Sequence, residues 1–157
     1  MVAVLAHALA LIRRDILGLP ADPERCATAA LYHDASEILT GDMPTPVKYD
    51  NPAIQEAYRQ VEAVANGKLV SMLPEELHGV YAPILTPTDP EVIRLVKAAD
   101  KLSAYIKCVE ELKAGNNEFR EAAAQTRKAL EVYELPEVKY FLETFMDSFS
   151  LTLDELK

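Results

Sequence analysis

The stretch Cys26-Ala27-Thr28-Ala29-Ala30-Leu31-Tyr32-His33-Asp34-Ala35-Ser36-Glu37-Ile38-Leu39 decides how this chain reads. Ala27, Ala29, Ala30, Leu31, Ala35, Ile38 and Leu39 leave it apolar or small around most of a helical circumference, as in a helix at the centre of a bundle. His33, Asp34 and Glu37 break that pattern. Spacings of three and four residues allow all three to look toward one patch. A carboxylate withdrawn from water needs a cationic partner, and imidazole with carboxylate suits a first-row divalent metal. Taken alone, the His-Asp pair fits a surface dipeptide with ordinary helical neighbours equally well.

Outward from this stretch, helix starts are marked by proline directly after a side-chain acceptor: Asp22-Pro23, Asn51-Pro52 and Asp89-Pro90. Proline costs nothing in a first helical turn, where its missing N–H would have no partner. Leu73-Pro74-Glu75-Glu76 and Leu135-Pro136-Glu137 are weaker versions of the same signal, and Gly115 is a helix stop followed by Asn116 and Asn117. Helices are predicted at roughly 2–14, 23–40, 52–72, 74–82, 90–114, 117–132 and 136–147. Val80 to Leu85 is the nearest approach to a strand, and prolines crowd it. The fold class is all-α, a single-domain helical bundle.

The helix at 90–114 carries the stripe Val92, Leu95, Val96, Ala99, Leu102, Ile106 and Val109. Asp100 lies at its edge, with small neighbours Ala99, Ser103 and Ala104 leaving room for an ion. An acid paired with Lys97 or Lys101 is the alternative there. After the His33 helix, Leu39-Thr40-Gly41-Asp42-Met43-Pro44-Thr45-Pro46-Val47-Lys48-Tyr49 forms a rigid polar loop.

A chain of 157 residues with half of them apolar can bury a core of its own. Its formal net charge of −9 opposes a phosphate polymer, so no nucleic-acid partner is expected. No apolar run is long enough for a bilayer, and the apolar start lacks the basic leader of a signal peptide. Cys26 and Cys108 lie far apart in helical, Ala-rich surroundings, as buried free thiols of a cytoplasmic protein would.

Tyr32-His33-Asp34-Ala35-Ser36-Glu37, Leu39-Thr40-Gly41-Asp42, Pro44-Thr45-Pro46-Val47-Lys48-Tyr49, Lys97-Ala98-Ala99-Asp100 and Ala114-Gly115-Asn116-Asn117-Glu118-Phe119 together resemble the bacterial 5′-deoxynucleotidases of the HD-domain phosphohydrolase superfamily. The resemblance runs on to Leu151-Thr152-Leu153-Asp154-Glu155. It implies a metal-dependent phosphomonoesterase acting on deoxyribonucleoside 5′-monophosphates. It makes His33, Asp34 and Asp100 metal ligands and Glu37 the acid/base residue. Asp42, Met43, Pro44 and Thr45 would line the nucleotide site, with Asp42 reading the sugar. A divalent cofactor (cobalt, manganese or copper), a cytoplasmic location and a homodimer are implied as well.

The chain departs from that pattern at its start. The family's metal site takes a further histidine from a Ser-Glu-His block, which aligns shortly before Met1. His7 falls about half a turn away from that ligand position and reads as a helix-face or core residue, and His78 as a solvent-exposed one. The family's phosphate-orienting arginine and tryptophan also lie upstream. The expectation is an HD-type domain over 1–157 lacking its first helix and first ligand, with an uncovered apolar groove where that helix would pack. Another HD-type nucleotide phosphohydrolase and a non-catalytic helical dimer or partner-binding module are the alternatives.

Overall fold

The computed structural model describes every residue except Tyr49, Leu153, Leu156 and Lys157, together with the side chains of all described residues but Thr45 and Pro46. Among the described residues every regular element is helical: α1 (Val2–Leu11), α2 (Pro23–Leu31), α3 (Glu37–Thr40), α4 (Thr45–Lys48), α5 (Pro52–Ser71), α6 (Glu75–Leu85), α7 (Pro90–Lys113), α8 (Arg120–Val132) and α9 (Pro136–Phe145). Short 3₁₀ turns precede α8 and follow α9. Contacts within the chain group into two compact units, residues 1–31 with 89–157 and residues 32–88.

All three acceptor–proline starts are real. The Asp22 carboxylate accepts from the Arg25 amide at 3.0 Å, Asn51 from Ile54 at 3.0 Å, and Asp89 from Glu91 at 3.0 Å. Each satisfies an amide that the first turn leaves without a helical partner. Gly115, with φ +89°, ends α7 in the left-handed region that favours glycine. Val80 to Leu85 is helical, the end of α6, with Pro83 inside it.

In the first unit α1 packs on α2 and α7, and α7 packs on α8. The expected stripe of α7 is buried through Val92, Leu95, Val96, Ala99, Leu102 and Ile106, joined by Leu5, Leu9, Cys26, Ala30, Leu130 and Val138. Both thiols are buried, and burial pushes Cys26 up to about 11 and moves Cys108 in the same direction. Because the thiolate is the reactive form, a thiol-reactive disulfide dye is expected to label neither cysteine in the folded protein and both in denaturant. Labelling of either at the rate of a small free thiol would contradict this burial.

Helix α1 does not run to residue 14 in α form. Ile12 to Ile16 make a π-helical turn, with the Leu17 amide donating to the Ile12 carbonyl at 3.0 Å. The widened turn presents Arg13 to several partners together. Its guanidinium donates from Nε to Pro20 O at 3.1 Å and from Nη1 to both carboxylate oxygens of Glu137 at 3.3 Å. Nη2 lies 2.8 Å from Glu91 Oε2, an ion-pair distance without hydrogen-bond alignment. Glu137 is fully buried.

In the second unit α5 packs against α3, α4 and α6. Its buried described residues are Ser36, Tyr58 and Ala65. The Asn66 side chain donates to Leu85 O at 3.0 Å, and His78 donates from Nε2 to Leu73 O at 2.9 Å. His78 is therefore half-buried rather than solvent-exposed. His7 is half-buried on α1.

Candidate active site

The predicted helix 23–40 is not continuous. Residues 32–36 form a turn between α2 and α3, tightened by three-residue bonds: Ala35 N to Tyr32 O at 3.0 Å and Glu37 N to Asp34 O at 3.0 Å. His, Asp and Ser are weak helix formers, and Asp and Ser offer the backbone alternative partners. The Tyr32 ring is also drawn edge-on against Tyr81 of α6, at 5.9 Å between centroids, and the hydrogen bond between the two phenols pushes Tyr32 up.

The break changes what this segment buries. Leu31 and Ile38 are 69% and 78% exposed, so the expected all-round burial is absent. The carboxylates are not sunk in a core either: the Asp34 side chain is 59% exposed and Glu37 half-buried. The His-Asp pair is instead held at a turn, where adjacent side chains can meet. His33 Nε2 lies 3.0 Å from Asp34 Oδ2, and the His33 side chain is 22% exposed.

Glu37 opens α3 directly after this pair. Desolvation raises its carboxyl above the usual range, and the neighbouring charges of Asp34 and then Asp42 raise it further, against the pull of Lys48 and His33. Glu37 thus lies within the field of Asp34, Asp42, Lys48 and His33. A carboxyl held up in this way keeps its proton closer to neutral pH, as acid/base chemistry requires.

Gly41 ends α3 with φ +69° and starts the predicted substrate loop. Asp42 and Pro44 are exposed and Met43 half-buried; the Thr45 side chain lies outside the described residues. At the far end of the loop Lys48 pairs with Glu62 at 2.9 Å. Lys48, Tyr58 and Glu62 have no place in the sequence-based site, although Lys48 falls inside one of the blocks that carry the resemblance.

Asp100 sits exposed on α7 in the first unit, beside buried Ala99. Among the described residues no three His, Cys, Asp or Glu side chains stand grouped as metal ligands. Within the second unit His33 and Asp34 stand together, and the imidazole–carboxylate chemistry of that pair fits a first-row divalent ion. A cleft in the first unit, lined by Arg127, Leu130, Leu135, Pro136, Val138 and Leu142, contains none of the expected site residues.

The helical arrangement is that of the HD-domain phosphohydrolases. One such protein from Listeria innocua superposes with a TM-score of 0.75 at 24% identity, covering 94% of this chain and 72% of that one. The family model described as YfbR-like 5′-deoxynucleotidase matches residues 1–149, and the chain belongs to that family. It is 52% identical over 157 residues to a 5′-deoxynucleotidase of Photobacterium profundum, covering 99% of this chain and 81% of the relative. It is 50% identical over 157 residues to the 5′-deoxynucleotidase YfbR of Salmonella typhi, covering 99% and 79%. No helix among the described residues is long and apolar enough to cross a membrane.

Proposed function

We propose that this chain hydrolyses deoxyribonucleoside 5′-monophosphates to deoxyribonucleosides and phosphate at a divalent metal site. The observation that carries the reading is the His33–Asp34 contact at a turn, followed at once by a Glu37 whose carboxyl is raised. His33, Asp34 and Asp100 would hold the ion. When bound, it supplies a water of lowered pKa and polarises a phosphoryl oxygen. Cobalt, manganese or copper suits that donor set.

Glu37 moves the proton. It takes one from the attacking water as the new P–O bond forms, and returns it to the 5′ oxygen of the deoxyribose as the P–O5′ bond breaks. Asp42 accepts a hydrogen bond from a sugar hydroxyl, and Met43, Pro44 and Thr45 line the nucleoside. Val61 and Val64 on α5 and Met72 just beyond it are exposed apolar residues that suit a homodimer. With a net charge of −9 the protein acts on small phosphates in the cytoplasm, with neither nucleic-acid polymer nor membrane as partner.

The test is phosphate release from a panel of deoxy- and ribonucleoside 5′-monophosphates with added cobalt or manganese. Deoxynucleotides are expected to be turned over at least about tenfold more efficiently, and Glu37→Gln to lower kcat by about 10²–10⁴-fold. Equal activity on both sugars would remove the sugar selectivity. An unchanged kcat in Glu37→Gln would remove its acid/base role.

A further inference from the structure

The segment from Gly41 to Lys48 has little to hold its own shape. It begins at a left-handed glycine, contains one four-residue helix, and follows another of the same length. Helices that short do not persist without tertiary support. Among the described residues, such support comes from side chains of α5, and above all from Tyr58. Tyr58 is 5% exposed, and its O–H donates to the Gly41 carbonyl at 3.3 Å. The face of the same ring lies under the Lys48 ammonium, 4.5 Å from Nζ to the centroid. Glu62, one turn further along α5, holds that ammonium at 2.9 Å. One tyrosine therefore touches both ends of the loop, the first end through its hydroxyl and the last through its π face, while Glu62 fixes the cation over the ring.

We propose that Tyr58 is a positioning residue that clasps the 41–48 loop at both ends, with Lys48 and Glu62 completing the clasp, so that Asp42 to Thr45 are presented in one fixed conformation to the nucleoside. This rests on the proposed function for the nucleoside, and on the geometry alone for the clasp. The two ends are separable. Tyr58→Phe removes the tie to Gly41 and keeps the ring under Lys48. Lys48→Met removes the cation and keeps the hydroxyl tie. Tyr58→Leu removes both. Lys48→Arg restores a cation that can stack on the ring and pair with Glu62.

Amide hydrogen exchange over 41–48, measured on the full chain with thermal unfolding alongside, reads the clasp directly. Exchange is expected to quicken about fivefold in Tyr58→Phe, the order of one hydrogen bond. A similar change is expected in Lys48→Met, a larger one in Tyr58→Leu, and near-parental exchange in Lys48→Arg. With deoxyadenosine 5′-monophosphate as probe, KM rises by about the same factors, and in Tyr58→Phe, which leaves every charge near Glu37 in place, kcat moves by less than about twofold, since a displaced loop costs uniform binding. Parental exchange in Tyr58→Phe and Lys48→Met, or faster exchange spread equally over α5 and α6, overturns the clasp. Faster loop exchange with an unchanged KM overturns its part in presenting the nucleoside. A parent chain inactive on every deoxynucleotide, with loop exchange accelerated in the variants, keeps the clasp and overturns the proposed function.

Discussion

Replacing Arg13 with alanine is expected to destabilise the protein by about 3–5 kcal/mol, the cost of leaving a buried charge without its partner. For a chain of this length that lowers the unfolding temperature by on the order of 10 °C. The reason lies in Glu137, which is fully buried and receives Arg13 on both carboxylate oxygens at 3.3 Å. The same guanidinium binds the Pro20 carbonyl and faces Glu91, so its loss also frees the segment after the π turn. The double variant Arg13→Met with Glu137→Met removes both charges, and is expected to recover most of the stability because the pair's attraction largely offsets its desolvation. Arg14→Ala is the matched control. Its partner Asp15 lies at 2.7 Å, closer than any Arg13–Glu137 contact, but both side chains are about half exposed and an exposed pair contributes little. Denaturant unfolding of the four proteins checks this. An Arg13→Ala variant with the stability of the parent would show that the Arg13–Glu137 contact does not hold this part of the fold.

That network has no trace in the sequence. Arg13 and Glu137 stand 124 positions apart, and each looks locally like an ordinary charged residue near a helix end. The starts at Pro23, Pro52 and Pro90 are legible because capping is local: the acceptor and the amides it satisfies lie within three residues of each other. The stripe of α7 is legible for a similar reason, since one helix face against one core produces a period. The break at 32–36 is not. Leu31, Ala35, Ile38 and Leu39 keep a helical period across it, and the deciding contact, Tyr32 with Tyr81, comes from another helix. The period also misled on burial, because apolar spacing marks a face without saying what covers it, and Leu31 and Ile38 are exposed. Within the site, His33, Asp34 and Glu37 were readable as residues with chemistry. Tyr58 was not, although a lone aromatic in the polar run Gln55 to Gln60 is the kind of signal that marks a tertiary contact.

Asp34→Ala is expected to lower kcat/KM for deoxynucleoside monophosphates at least about a thousandfold, because a bound ion contributes several kcal/mol to the transition state at about 1.4 kcal/mol per tenfold. Cobalt or manganese binding, followed by calorimetry, is expected to weaken with it. Folding is expected to be spared. The Asp34 side chain is 59% exposed and sits in a turn held by backbone bonds of its own, from Ala35 to Tyr32 and from Glu37 to Asp34. An exposed charge of this kind adds little to stability, so the unfolding temperature should stay close to that of the parent. Asp34→Asn sharpens the argument. It keeps the size of the side chain and an oxygen near His33, and removes the charge that a divalent ion needs. Loss of activity in both variants with stability intact would mean that the carboxylate serves the ion. Activity surviving in Asp34→Ala would remove the His33–Asp34 pair from the mechanism, whatever the family resemblance of the surrounding turn. The opposite pattern, activity and stability falling together, would mean that the contact with His33 at 3.0 Å holds the turn itself. The Arg13 and Asp34 variants thus pull apart two uses of charge in one chain: a buried pair that the fold is expected not to lose singly, and an exposed carboxylate whose loss it is expected to bear.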